Sequence, residues 1–254
     1  MFVPKSYDGS TAVPLIISLH GYTSSGAKQD QYFKLQPLAE QRGFLYIHPD
    51  GTKDASGNTF WNATDACCDL RAVGTDDAAY LLSMIQQVQQ KYTVDPKRIY
   101  IVGHSNGGFM SYRMACDHAD KVAAIVSLAG ATFADPARCK PSQPVSVLQV
   151  HGTADNVIPY TGGQILGHAF PPAEETVSTW ASLDGCGATP AASATKLNLD
   201  EGLEGDDASA STFTGCTSGT SVELWSIKDG AHSPNLSTAF SSGLIAFLYA
   251  HPKP

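Results

Sequence analysis

The chain has 254 residues, with 16 Lys and Arg against 24 Asp and Glu, a formal net charge of −8. A hydrophobic fraction of 43% supports a sizeable core and argues against disorder. The acidic balance lacks the basic stripe that phosphate backbones or anionic lipid need, so nucleic acid and membrane surfaces are excluded as main partners. The apolar stretch 122–134 is shorter than a bilayer span and is broken by Ser127, Gly130 and Thr132, which leaves no transmembrane segment.

Apolar runs bounded by turn residues alternate with helix-period segments, the pattern of an α/β fold with a mostly parallel central sheet and helices on its faces. In chain order, buried strands are predicted over 13–19 and 44–48, a helix over 76–92, a strand over 98–102 and a helix over 105–116. Strands over 122–128 and 145–150, a helix over 174–182, a strand over 221–227 and a closing helix over 237–250 follow. Within 76–92, Ala78, Leu81, Leu82, Ile85, Val88 and Tyr92 share one stripe, and Asp76 and Asp77 sit where the helix dipole favours negative charge. The polar stretch 188–220 is the weakest fold signal; it reads as an irregular excursion with room for short antiparallel strands. The expectation is one domain over 1–254, with this excursion at about 186–220.

Gly103-His104-Ser105-Asn106-Gly107 lies between a predicted strand and a predicted helix. A Gly-x-Ser-x-Gly there lets the chain turn sharply enough to hold a serine hydroxyl at the strand tip, with the helix amides aimed at a developing oxyanion. The competing reading is an ordinary turn with a serine helix cap. A serine hydroxyl needs a base, and the base an orienting acid, in the chain order Ser, Asp or Glu, His. Asp155 follows the strand 145–150, whereas Asp135 and Asp184 lie away from a strand-end loop. His232 lies between the last strand and the last helix, whereas His168 lies in a Gly/Pro-rich loop soon after Asp155 and His251 in the tail beyond the last helix. Ser105, Asp155 and His232 are therefore the candidate nucleophile, acid and base. The backbone N–H groups of Tyr22, after the first strand, and Asn106 are the candidate oxyanion donors. His20 is expected to brace the Tyr22 loop, and His104 to pack beside the nucleophile. Trp61 lies in a long loop and has two readings, cleft wall or core; with Tyr22 and Phe109 it is a candidate aromatic face for substrate.

As an ordered set, Leu19-His20-Gly21, Phe60-Trp61-Asn62 ahead of a cysteine, and Thr75-Asp76-Asp77 belong with the serine segment, which continues to Gly108. So do His151-Gly152-Thr153-Ala154-Asp155 with Pro159-Tyr160, and Gly230-Ala231-His232. From about Val3 to its end the chain resembles the polyhydroxybutyrate-depolymerase-like and feruloyl esterases of carbohydrate esterase family 1. The resemblance implies an α/β-hydrolase fold and carries over Ser105, Asp155 and His232 as a catalytic triad. It departs at Ser233-Pro234-Asn235, where relatives often carry Thr-Trp-Pro. It implies a serine esterase working through an acyl-enzyme, without cofactor or metal, on a small-molecule or polymer-borne ester. Feruloyl and related hydroxycinnamoyl esters lead; hydroxyalkanoate oligomers and acetyl xylan are the alternatives. A serine peptidase and an inactive binding domain are the competing classes.

Six cysteines without zinc-like CxxC pairs argue for disulfides over metal. Six allow 15 connectivities. Cys116 and Cys139 would tie the nucleophile helix to the sheet, and Cys186 and Cys216 bracket the polar excursion; both pairings also match the family's usual placement. Cys67 and Cys68 are left as a vicinal pair or as free thiols. Disulfides imply a secreted or periplasmic protein. Since Met1-Phe2-Val3-Pro4-Lys5 has no signal-peptide pattern, and relatives usually start with a strand ahead of Tyr7, a removed leader and first strand are expected.

Overall fold

The apolar run Val13–Leu19 forms β1, and its side chains alternate between two cores. Leu15, Ile17 and Leu19 enter one apolar layer and Ile16 the other, as expected of a strand buried on both faces. The computed structural model that shows this describes the chain from Met1 to Pro254, apart from the side chain of Thr195.

Two short helices follow, α1 (Gly26–Phe33) and α2 (Leu35–Arg42). Ser25 caps α1 by accepting the Lys28 N–H at 3.3 Å, and Lys34 turns between the two helices with φ 52°. The chain continues through β2 (Leu45–Ile47) and a small hairpin of β3 (Thr52–Lys53) and β4 (Thr59–Phe60). Helix α3 (Asp77–Lys91) is capped by Asp76, whose carboxylate accepts the Ala79 N–H at 3.0 Å. Next come β5 (Val94–His104), α4 (Asn106–Asp117), β6 (Ala124–Leu128) and β7 (Ser146–Gly152). A second small hairpin pairs β8 (Gly163–Ile165) with β9 (His168–Phe170), ahead of α5 (Ala173–Leu183). Strands β10 (Ala191–Leu197), β11 (Ala208–Phe213) and β12 (Val222–Ile227) lead into α6 (Thr238–Ala250).

Among the described residues, eight strands form one sheet in the order β10-β11-β12-β7-β6-β5-β1-β2. From β12 to β2 every pairing is parallel; β10 and β11 extend the sheet antiparallel. One face is covered by α3, α4 and α5 through Leu81, Ile85, Met110 and Trp180, the other by α1, α2 and α6 through Phe33, Leu35, Phe240 and Leu244. Each of these fully buried aliphatic or aromatic side chains contributes roughly 1.5–3 kcal/mol relative to exposure. This is an α/β-hydrolase fold.

Strands and helices read from the sequence stand within a few residues of their predicted bounds. The antiparallel strands that the polar excursion had room for are present as β10 and β11. The cysteines pair as Cys67–Cys68, Cys116–Cys139 and Cys186–Cys216. Cys186 follows α5 and Cys216 follows β11, so their bridge closes the base of the antiparallel extension. Among the described residues no helix is long and apolar enough to cross a membrane.

Candidate active site

The loops after β5, β7 and β12 open at the same edge of the sheet and bring Ser105, Asp155 and His232 together. Ser105 takes φ 54° and ψ −120°, a positive φ that L residues seldom adopt. The turn is held on one side by the Ser105 N–H donating to the Leu128 carbonyl at 2.8 Å. On the other side glycine is required. A Cβ at Gly107 would strike the backbone carbonyls of Leu19 and His20, and one at Gly103 would strike Gly107. Serine thus projects from a turn that the surrounding backbone leaves little room to relax.

The Ser105 hydroxyl donates to His232 Nε2 at 2.9 Å, and His232 Nδ1–H donates to Asp155 Oδ2 at 2.7 Å. Asp155 is buried, and its other oxygen accepts the N–H groups of Val157 and Ile158, both at 2.8 Å. His151 Nε2 adds a contact to Oδ2 at 3.3 Å while bonding the Ile158 carbonyl at 2.8 Å. Burial alone would raise the Asp155 carboxyl. The hydrogen bonds from His151, His232 and the Ile158 N–H outweigh it and hold the group well below the usual carboxylate range. The acid stays ionised and fixed.

The two loops that carry Asp155 and His232 are also knitted to each other. Thr153 N–H donates to the Ile227 carbonyl at 2.9 Å, Ala154 N–H to the Gly230 carbonyl at 3.0 Å, and Asp229 N–H to Thr153 Oγ1 at 2.8 Å. His104, beside the serine, donates through Nε2 to the His232 carbonyl at 2.9 Å. Burial, and next the neighbouring His232, push His104 down to about 4, so it is neutral at physiological pH. His20 braces the loop after β1: Nδ1–H donates to the Gly21 carbonyl at 2.8 Å and Nε2 accepts the Gly51 N–H at 2.9 Å. Burial lowers this imidazole too, in keeping with the neutral form that such bonding requires.

A cleft of about 480 Å³ opens over Ser105 and His232, with Tyr22, Tyr32, Gln29 and Val157 among its walls. Tyr32 is anchored by donating to the Pro234 carbonyl at 3.0 Å. Among the described residues the backbone N–H groups of Tyr22 and Asn106 have no protein acceptor. Asn106 is the first residue of α4, whose N-terminal amides favour negative charge.

Trp61 corrects the cleft-wall reading. Its side chain is 0% exposed and belongs to the core between the sheet and α4. Its N–H and carbonyl are both taken by the Asn106 side chain, and its indole by the His20 carbonyl, which turn it inward. Phe109 is likewise buried, on α4. The aromatic walls are Tyr22, already in view from the sequence, and Tyr32. Tyr32 escaped notice because α1 has no apolar stripe to announce a helix. Among the described residues no group of histidine, cysteine, aspartate and glutamate side chains is placed to hold a metal ion.

Residues 7–175 match the phospholipase/carboxylesterase family. The chain is 30% identical over 237 residues to feruloyl esterase B of Piromyces equi, covering 90% of this chain and 41% of that protein. It is also 30% identical over 147 residues to the bifunctional acetylxylan esterase/xylanase XynS20E of Neocallimastix patriciarum, covering 58% of this chain and 20% of that protein. The chain thus spans less than half the length of these relatives. The solved acetyl xylan esterase from Aspergillus awamori superposes with a TM-score of 0.66 at 16% identity, over 97% of this chain and 92% of that one. That likeness is one of fold.

Proposed function

The chain belongs to the phospholipase/carboxylesterase family, and on that premise we propose that it is a serine esterase with Ser105 as nucleophile, His232 as base and Asp155 as orienting acid. The observation that carries the reading is the unbroken series from Ser105 Oγ to His232 Nε2 at 2.9 Å and from His232 Nδ1 to Asp155 Oδ2 at 2.7 Å. As Ser105 Oγ attacks the ester carbonyl carbon, its proton passes to His232 Nε2. Asp155 holds the Nδ1–H and steadies the imidazolium. The carbonyl oxygen becomes an oxyanion that accepts from the Tyr22 and Asn106 N–H groups, a contribution worth several kcal/mol in comparable sites. Collapse expels the alcohol, which takes the proton from Nε2. Water then enters by the same route, and hydrolysis of the acyl-enzyme frees Ser105.

The proposed substrate is a feruloyl or related hydroxycinnamoyl ester. The tyrosine walls of the cleft and the similarity to a feruloyl esterase support it. An acetyl ester of xylan is the second reading, favoured by the similarity to an acetylxylan esterase. Three disulfide pairs support action in an oxidising compartment, as a secreted or periplasmic enzyme. We place the activity in one catalytic unit over 1–254, because a single sheet carries all three residues.

The test is a panel of methyl ferulate, methyl cinnamate, p-nitrophenyl acetate, acetylated xylan and hydroxybutyrate oligomers, run with and without Ser105→Ala. Preference for methyl ferulate, lost in the variant, is expected. Full activity in a folded Ser105→Ala protein would overturn the reading.

A further inference from the structure

The two proposed oxyanion donors come from separate parts of the chain, Tyr22 from the loop after β1 and Asn106 from the start of α4. Their separation must match one oxygen atom, because donors stabilise an oxyanion only within hydrogen-bond reach of where it forms. The segment 59–61 touches both sides. Towards the Tyr22 loop, Trp61 Nε1–H donates to the His20 carbonyl at 3.0 Å, the Thr23 N–H donates to the Thr59 carbonyl at 2.8 Å, and Thr59 Oγ1 donates to the Ser24 carbonyl. Towards α4, Asn106 grips the same segment at two points. Its Oδ1 accepts the Trp61 N–H at 2.8 Å and its Nδ2 donates to the Trp61 carbonyl at 2.8 Å.

This bridge is itself confined. Asn106 Nδ2 also reaches Cys67 Sγ at 3.5 Å, and the Cys68 N–H donates to the Trp61 carbonyl at 3.2 Å. The next residue, Asn62, donates its N–H to the buried Asp77 carboxylate at 2.7 Å. The indole stands 5.1 Å from the His20 ring, and both are fully buried. A buried network whose members are all bonded has few ways to shift.

We infer that Trp61 is a positioning residue that sets the spacing of the two oxyanion donors, tying the His20–Ser24 loop to the Asn106 side chain through its indole and its backbone. This rests on the serine-esterase reading above. It gives Trp61 a part in catalysis without substrate contact. Loosening the bridge should weaken the transition state while leaving ground-state binding intact.

The test uses Trp61→Phe in the full chain, which keeps an aromatic ring and removes the indole donor. Expected are a kcat loss of about 10- to 100-fold on both methyl ferulate and p-nitrophenyl acetate, with KM within about twofold. The rate at which a fluorophosphonate labels Ser105 should fall by a similar factor, since its tetrahedral adduct uses the same donors. Affinity for the product ferulate should not move. A folded Trp61→Phe protein with wild-type kcat overturns the inference, as does one with raised KM alone. If that variant lacks a cooperative unfolding transition, Thr59→Val decides: it removes one donor of the bridge, and kcat should fall about threefold or more at constant KM. Unchanged kcat there overturns the inference. A wild-type protein inert to every ester and to the fluorophosphonate would instead defeat the esterase reading.

Discussion

His232 Nδ1 and Asp155 Oδ2 stand 2.7 Å apart although 77 residues separate them in the chain. Both of the acid's oxygens are engaged, and the loops on either side are bonded to each other, so the imidazole is held in one tautomer with Nε2 free to take the Ser105 proton. Ser105→Ala and His232→Ala should each lower kcat by several orders of magnitude, and Asp155→Asn by somewhat less. On the proposed mechanism the three residues act as a unit, so the losses should be far from additive. Steady-state kinetics on the single and double variants checks this; a double variant whose loss is the product of the single losses would contradict it.

Gly107→Ala adds one methyl group where the carbonyls of Leu19 and His20 already stand. The elbow must move away from β1, carrying Ser105 and the Asn106 N–H with it. A kcat loss of about 100-fold is expected, with a stability loss of about 1–3 kcal/mol from overpacking. Denaturant unfolding and kinetics on the same preparation would separate the two. Wild-type kcat would show that the turn has more freedom than its contacts imply.

Asp184 predicts a pH dependence of stability. It is fully buried; burial outweighs the Val145 N–H, which donates to Oδ1 at 3.2 Å, and the nearby Thr220 hydroxyl, and pushes the group up to about 7. An unfolded aspartate titrates near 3.9. Between about pH 4 and 7 the native state therefore keeps a proton that the unfolded chain has lost, and stability falls as pH rises, by at most about 4 kcal/mol. Asp155 acts in the opposite sense: its lowered value stabilises the fold above about pH 4, and that contribution is lost as pH falls further. Thermal unfolding at pH 5 and pH 8 should show a larger drop for the wild type than for Asp184→Asn. Parallel behaviour would remove Asp184 as the cause.

The Cys186–Cys216 bridge spans 30 residues of the polar excursion. By chain entropy alone, opening it should cost about 3–4 kcal/mol. Replacing both cysteines by serine should lower the unfolding midpoint while leaving kcat nearly unchanged, because the bridge lies where β12 begins, at the opposite end of the parallel strands from the loops that carry Ser105 and His232. A variant as stable as the wild type would show that the short loops of this extension hold it unaided.

The parallel strands are legible because each holds a group of apolar residues bounded by turns, and Ser105, Asp155 and His232 are legible because each sits just past one of those strands. Two kinds of feature were not. Helices α1 and α2 are eight residues each and largely polar, so they lack the repeating apolar positions that mark a helix, and they depend on the Ser25 cap and on anchors such as Phe33 and Leu35. β10 and β11 are made mainly of small and polar residues, and they exist as strands because β12 offers them an edge. The Trp61 side chain illustrates a further limit. An aromatic residue in a loop carries no sign of which way it faces; the donors and acceptors of His20 and Asn106, distant in sequence, decide it.

The sheet order places β12 directly against β7, with β7 and β6 between it and β5. His232 lies beyond β12, 127 residues after Ser105. A chain cut ahead of β12 keeps the serine turn and lacks His232, the proposed base. On the proposed mechanism, ester turnover would therefore report on the docking of β12 against β7, which no contact within the serine turn itself can do.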